Sequence, residues 1–598
     1  MRCRWFRLEG VSYAILPDEE RDSVLAEWVS LLSNLREGAI LALRRESEYS
    51  YGGYSFPVQR LELYACGRGA GEVRWFGARE VEAPPRPKAV GLAGPRTLVL
   101  EDGSYARVLV AYRLPASLPE AFLYPVALEA SEVALVFKLV PRARALPLVE
   151  SARRRKAGGA GVEQVYEASV LQELATRVLA GADLFEVHLM VTLRARDPRE
   201  LGKLESSVKA LLKGFGVEAE APPMQAALYS FETCYGLACL ERGYADAESL
   251  KPLFMLVEEE LQDPEGVFIG VSGTGSPVLL DLWSRPNFNF VIVGVTGSGK
   301  SMAAKVYMKR LVERARVPII GVDPESEYTR VARYFGASAL EVSESMELGL
   351  DPVKLLQAGH LTLGEVADLL AEAYAIPEQL HGLLRKELFA KGDQVEDVEE
   401  FVATVQEPAL KRYLEGVAAP PDRYVYSGEP PRLTGSVVFG LRNVRSRRLK
   451  VLISALISVY AYSTLLTKVS RSVLFVDEAW MFMETPSIVG LFESVARRGR
   501  KHGVGFIYIT QRAEDLARTP QGRTILEQSA TVLLLRQEPE GRDAVRQIYR
   551  LSDAEAELLV AAPVGSGILK SGRRRLRITI LPTPEELEAF STTPRGVT

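Results

Sequence analysis

One octapeptide constrains this chain more than any other feature. Gly294-Val-Thr-Gly-Ser-Gly-Lys-Ser301 fits GxxxxGK[ST] without deviation and follows the short apolar run Phe290 to Gly294. Glycines at this spacing let the backbone turn tightly, so that successive amide N–H groups converge on one anion. A helix opening at the end of the loop adds the partial positive charge of its N-terminus. In such a loop Lys300 reaches the β- and γ-phosphates of a nucleotide, and Ser301 ligates Mg2+ through its hydroxyl. ATP with Mg2+ is therefore the expected ligand. Its expected contacts are Gly294, Val295, Thr296, Gly297, Ser298, Gly299, Lys300, Ser301 and, in the first turn of the helix, Met302.

A second segment completes the chemistry. Arg471 to Glu478 reads RSVLFVDE, an apolar strand ending in two carboxylates. Beside the glycine loop, Asp477 serves the metal held by Ser301, and Glu478 faces the γ-phosphate and polarises the attacking water. Thr510-Gln511 ends a further strand, GFIYI, where Gln511 is placed to sense the γ-phosphate. Thr510 also suits a helix N-cap, and both roles are compatible. Between them lies Val495 to Lys501, VARRGRK. It is either a surface basic cluster or the source of an arginine finger acting on a neighbouring subunit's site, with Arg497, Arg498 and Arg500 as the candidates.

The chain has 598 residues, too many for one core. A division near residue 275 is expected. Residues 1–275 mix strands, helices and Pro-rich breaks, an α+β domain. Within it Arg142 to Gly161, rich in basic residues and ending in glycines, reads as a linker. Helix, strand, helix and strand over 162–221 suggest a ferredoxin-like part. Residues 276–598 alternate apolar strands (Phe290 to Gly294, Val317 to Val322, Ser472 to Val476, Val504 to Ile509, Thr531 to Leu535) with helical patterns. That is the mark of an α/β fold with a parallel sheet covered on both faces. Residues 360–416 read as an all-α insertion, and Gly565 to Ile580 as two strands around Ser571-Gly572.

Composition excludes little but trims the options. The net charge of −4 leaves only local basic patches for nucleic acid. The four cysteines form no CxxC pair, so they read as buried hydrophobes in a reducing compartment rather than a zinc site. The N-terminus lacks the apolar core of a signal peptide. The most apolar helical stretch, Val451 to Leu466, carries serines and is short for a bilayer span of about 20 residues, so a core helix is expected. Only Asn34, Asn287, Asn289 and Asn443 represent asparagine, a depletion that points to a heat-adapted source.

Together these segments resemble the ATPases of type IV secretion and conjugation systems, within the HerA–FtsK superfamily of ring motors. The likeness is carried by Asn289 to Gly294 leading into the loop and by Asp323-Pro-Glu-Ser-Glu-Tyr328. It continues in Gly349-Leu-Asp-Pro-Val353, with Asp351 where asparagine is usual, and in Asp477-Glu-Ala-Trp480. Arg497 to Gln511 and Leu551 to Leu569 complete it. It covers 275–598 and is weak before that. The absence of an evident membrane span makes the archaeal DNA-import branch attractive. The resemblance implies a RecA-like motor domain, a homohexameric ring with an arginine supplied by the neighbour, and cytoplasmic attachment to a membrane channel protein through the N-terminal domain. It also implies DNA as cargo. Glu325 is a candidate secondary acidic group.

A motor on DNA needs basic loops that meet phosphates. Arg442, Arg445, Arg447 and Arg448, in RNVRSRRLK, are the candidates. They either line a channel or pair with acidic neighbours. Arg573 to Arg577, RRRLR, lies in the terminal hairpin and suits a surface or a subunit interface. An assembly platform that never grips DNA and a soluble DNA-end-processing translocase remain alternatives.

Overall fold

The computed structural model describes residues 4–591 except 17, 68–72, 116, 158–161, 230–242, 483–484, 486–487, 491, 493–498, 512, 514–516, 518–519 and 573. The chain divides into two compact units. The first comprises Met1–Ser50, Ser55–Glu259 and Thr274–Ser276, and the second Tyr51–Tyr54, Glu260–Gly273 and Pro277–Thr598.

The first unit is built on an 11-stranded sheet. Its centre runs Tyr54–Gly67, Glu37–Tyr51, Glu132–Leu139, Leu184–Ala195, Tyr105–Arg113. Glu218–Glu220 adds to Tyr105–Arg113. Strands 105–113, 132–139, 184–195 and 218–220, with helices Leu123–Glu129 and Pro198–Gly214, form a β-α-β-β-α-β arrangement with the short last strand beside the first. Helix Pro198–Gly214 starts where Asp197 accepts the amide of Arg199, with proline in the first turn. Trp28, fully buried, anchors helix Asp18–Leu35 by donating its indole N–H to the carbonyl of Leu250 at 3.0 Å.

Arg142 to Gly161 departs from the linker reading. Residues Arg142–Ala157 are helical despite Pro147. The reason is the i, i+4 pair Ala145 and Val149, which packs with Leu174, Ala175 and Leu184 against helix Val162–Leu179. Residues 158–161 lie outside the described residues. A second departure concerns sulfur. Cys66 is disulfide-bonded, not a free thiol. A buried thiol and a bonded one are alike in sequence, so composition could not separate them. The other three cysteines lie outside the described residues.

The second unit holds a 12-stranded sheet. Seven strands run parallel in the order Thr531–Leu535, Asn289–Val293, Val504–Thr510, Ser472–Val476, Ile319–Asp323, Val437–Asn443, Ser338–Ser343. Along each central strand alternate residues enter opposite cores. Val291, Val293, Ile320, Val322, Leu474 and Val476 face one side. Phe290, Ile292, Ile319, Val473 and Phe475 face the other. Both faces are covered, which is why these strands read as unbroken apolar runs. The five expected strands are present. Strands 338–343 and 437–443 add to them at one margin.

At the other margin the sheet turns antiparallel through Ser566–Ser571, Arg574–Ile580, Val267–Ser272 and Pro277–Leu280. Because Val267–Ser272 pairs with Arg574–Ile580, Glu260–Gly273 belongs to the second unit although it lies upstream of residue 275.

Helices Leu363–Ala373, Glu378–Lys391, Val398–Thr404 and Pro408–Leu414 intervene between strands 338–343 and 437–443 and bury their apolar side chains in the core that covers one face of the sheet. Asp351, standing where asparagine was expected, caps helix Pro352–Gln357. One oxygen accepts the amides of Val353 and Lys354, and the other accepts that of Val398 at 2.8 Å. Arg447–Lys468 is long and apolar enough to cross a membrane by length and composition. Leu452, Ala455, Leu456 and Val459 of this segment are buried in the core that covers one face of the sheet.

Candidate nucleotide site

The loop after strand Asn289–Val293 is wrapped by its neighbours. Gly294 donates its amide to the carbonyl of Thr510 at 3.3 Å, and Val295 to that of Arg536 at 3.1 Å. Gly297 and Gly299 have φ of +76° and +96°, the left-handed region that glycine enters without strain. A Cβ on Gly299 would also stand 3.0 Å from the amide nitrogen of Gly565, whose N–H bonds the carbonyl of Ser298 at 2.9 Å. Helix Lys300–Ala315 starts directly after the loop. Lys300 and Ser298 are buried, and the Ser298 hydroxyl has no hydrogen-bond partner among the described residues. Thr296 and Gly297 are exposed.

Strand Ser472–Val476 delivers Asp477 and Glu478. Asp477 donates its amide to Val322 and is almost fully buried, with Oδ1 unpartnered among the described residues. Burial pushes its carboxyl well above the usual carboxylate range. The charges of Glu478 and Asp323 add to this, and Lys300 opposes it. Such a carboxylate gains strongly from an arriving cation. Asp323 ends the adjacent strand. Burial pushes it up to about 6, against the amides of Tyr328 and Thr329 that bond its Oδ2. Behind it Lys305 is 1% exposed, 3.7 Å from Glu327 and over the ring of Tyr328. Burial lowers its ammonium pKa, and Glu327, Asp477 and Asp323 act against that.

Glu478 has φ of +48°, rare for a residue with a side chain. Its Oε1 accepts from Gln511 Nε2 at 2.7 Å, and its Oε2 accepts from the indole of Trp480. Gln511 in turn accepts from the Thr296 hydroxyl at 2.8 Å. A single hydrogen-bonded line thus joins the glycine loop to the acidic pair. Thr510 is buried at the end of strand Val504–Thr510, and its capping role falls on segments that include residues outside the described ones. Met302 follows Ser301 on the helix, half-buried.

Among the finger candidates, Arg497 and Arg498 lie outside the described residues. Arg500 is exposed in the turn Arg500–His502 before strand 504–510. Within the basic run Arg442, Arg445, Arg447 and Arg448 are all exposed. Arg448 pairs with Asp422 at 2.7 Å, the acidic-neighbour alternative, and Arg447 lies 5.3 Å from the ring centre of Trp480. Glu325 is exposed and 3.6 Å from Lys450. In the terminal hairpin Arg575 bonds Glu555 and the carbonyls of Arg550 and Tyr549, a structural role. Arg573 lies outside the described residues.

Sequence reading missed three residues here. Trp480 was only part of a resemblance. Lys305 sits one turn beyond Ser301. Arg536 follows strand Thr531–Leu535, and its Nη2 stands 3.9 Å from where a Cβ on Gly297 would be. Only the position of Arg536 at the end of a strand beside the loop could have signalled it. No group of three or more His, Cys, Asp or Glu suited to a metal occurs among the described residues. Magnesium held together with phosphates needs only one or two protein ligands.

No curated protein matches the chain. Among solved structures, VirB4 of Thermoanaerobacter pseudethanolicus is 24% identical with a TM-score of 0.48, over 55% of this chain and 100% of that one. The bacterial conjugative coupling protein TrwBdeltaN70 is 13% identical with a TM-score of 0.38, over 54% and 89%. The genome packaging NTPase B204 from Sulfolobus turreted icosahedral virus 2 is 14% identical with a TM-score of 0.27, over 50% and 100%. Residues 267–426 match the family model described as "Helicase HerA, central domain". The glycine cradle, the acidic strand end and the strand order around them give the second unit a RecA-like P-loop ATPase fold, and its residues 267–426 are similar to the HerA central domain.

Proposed function

We propose that the chain is an ATP-hydrolysing motor that drives DNA transfer at a membrane-associated apparatus of the conjugation or import type. The observation that carries the hydrolysis is the line Thr296–Gln511–Glu478. It brings a carboxylate from one strand end to the mouth of a glycine cradle from another. The residues suit ATP and Mg2+. The cradle has two glycines at left-handed φ, and a buried serine hydroxyl and a buried carboxylate oxygen stand unpartnered among the described residues. Among the solved structures, the plasmid coupling protein TrwB is described in complex with ADP and Mg2+. Bound Mg2+ would supply neutralisation of developing phosphate charge.

The chain's own residues divide the remaining work. Lys300 holds phosphate oxygens, Ser301 and Asp477 hold the cation, and Glu478 orients and deprotonates the attacking water. Gln511 reports the state of the phosphates. Arg497, Arg498 or Arg500 acts on the neighbouring site of a homohexamer, and the first unit docks on a membrane channel protein at the cytoplasmic face. The scarcity of asparagine extends the proposal to a heat-adapted source, which melting at an ordinary mesophilic temperature contradicts, and, with the family resemblance, to the archaeal DNA-import branch.

A second reading has one observation in its favour. The ion pair of Arg448 with Asp422 takes one arginine out of the basic run, as suits an assembly ATPase that never grips DNA. The turnover of ATP with and without duplex DNA at low salt separates the two. DNA-stimulated turnover that is lost in Arg445→Ala/Arg447→Ala supports the motor, and indifference to DNA supports the platform. Lys300→Ala abolishes tight nucleotide binding, and Glu478→Gln binds ATP without turning it over. Normal turnover by Glu478→Gln refutes the assignment of the carboxylate.

A further inference from the structure

Glu478 is engaged at both ends. Gln511 donates to one carboxylate oxygen and the Trp480 indole to the other, on a residue whose backbone sits in the left-handed region. Strain of that kind at a strand end persists only where surrounding contacts hold it. The Trp480 contact, made by the in-plane N–H at the ring edge, supplies part of that hold, and the Arg447 guanidinium lies over the same ring at 5.3 Å from its centre. Arg447 opens helix Arg447–Thr464 within the exposed basic run. It lines a groove of about 310 Å³ together with Glu372, Arg448, Leu452 and Met481. One side chain therefore touches both the surface that solvent reaches and the ring that holds the hydrolytic carboxylate.

We infer that Trp480 is a positioning residue that keeps Glu478 in a held state, and that a nucleic-acid phosphate binding Arg447 releases it. A two-pronged guanidinium–phosphate contact outranks a cation–π contact at an exposed site. The phosphate backbone thus draws Arg447 off the ring, the indole loses its backing, and Glu478 turns towards the water. DNA binding at the basic run then raises turnover without any contact to the nucleotide. The inference rests on the reading of Glu478 as the hydrolytic carboxylate and of the run as a DNA surface. What it adds is the link between them.

The test uses the full-length chain, a 30-base-pair duplex at low salt, and the variants Trp480→Phe, Arg447→Ala and Glu478→Gln, with melting temperature and ATP affinity as controls. Trp480→Phe keeps an aromatic ring under Arg447 and removes only the N–H donor. A hydrogen bond to a charged group is strong enough that its loss shifts a two-state balance roughly ten-fold. Trp480→Phe is therefore expected to raise basal kcat by roughly ten-fold, to leave KM unchanged and to blunt stimulation by DNA. A merely structural tryptophan would lower kcat or stability instead. Arg447→Ala is expected to raise basal turnover and remove the further rise with duplex. If Trp480→Phe leaves basal kcat unchanged or lower while Glu478→Gln is silent, the held state is wrong and the site reading stands. If Glu478→Gln still turns over, both fall. If duplex fails to stimulate the wild-type chain, the Arg447 release is wrong.

Discussion

Arg310 lies on helix Lys300–Ala315 and is fully buried, as is its partner Glu586. The guanidinium bonds Glu586 Oε1 at 3.0 Å and Oε2 at 2.6 Å, the carbonyl of Phe268 at 2.8 Å and that of Leu581 at 2.8 Å. It also lies over the rings of Tyr51 and Phe268. Arg310→Met fills similar volume but leaves a carboxylate without its main partner, which for a buried pair costs about 3–5 kcal/mol. Lys309, 3.4 Å from the same carboxylate, offsets part of that and places the expectation near 3 kcal/mol. Adding Glu586→Leu removes the stranded charge. It also removes the reciprocal cap between Thr583 and Glu586, worth about 1 kcal/mol. With that cap lost and the carbonyls of Phe268 and Leu581 left without the guanidinium donor, the double variant should sit about 2 kcal/mol below wild type, a smaller loss than the two single variants summed, since each single variant leaves a buried charge unpaired. Calorimetric melting of the four proteins at neutral pH measures the cycle. A double variant that loses as much as the two singles added together would falsify the account of Arg310 as a charge neutraliser.

Three further outcomes are expected. Asp351→Asn costs about 1–3 kcal/mol, because both carboxylate oxygens accept amides and an asparagine NH2 cannot accept from Val398; denaturant unfolding checks it, and a neutral change refutes it. Burial alone would raise the Glu586 carboxyl, but the Arg310 contact outweighs it and holds it below the usual range. A lowered folded pKa means stability that is present above the unfolded value of about 4.3 and is lost as pH falls through the folded value, so acid melting curves of wild type and Glu586→Gln should converge at low pH. Gly299→Ala meets both a φ of +96° and the backbone of Gly565 3.0 Å away, so nucleotide binding measured by calorimetry should weaken at least ten-fold with the rest of the unit folded.

Much of the nucleotide site was legible because its chemistry forces residue types into short spacings. A phosphate cradle needs glycines and a lysine in one octapeptide, and a metal carboxylate needs a buried strand to carry it. Strand Ser338–Ser343 was not legible. It lies at the margin of the sheet with exposed serine, alanine and glutamate, and lacks the apolar run that betrays a central strand. Helix Arg142–Ala157 was hidden by Pro147 and its basic tail, since its packing depends on only a few apolar positions. Trp480 and Arg536 were hidden for another reason. Their neighbours come from distant parts of the chain, and no local pattern encodes which strand end stands beside which.

The amide of Gly565 closing on Ser298 has a consequence for the order of synthesis. The glycine loop leaves the ribosome well ahead of the segments that close it. Yet the strand on one side of it is Val504–Thr510, and the residue that seals its base is Gly565. Pairings of such long sequence separation form late. Competence to take up nucleotide therefore appears only once the terminal hairpin has docked, and ATP is a ligand of the finished sheet rather than of the loop that names it.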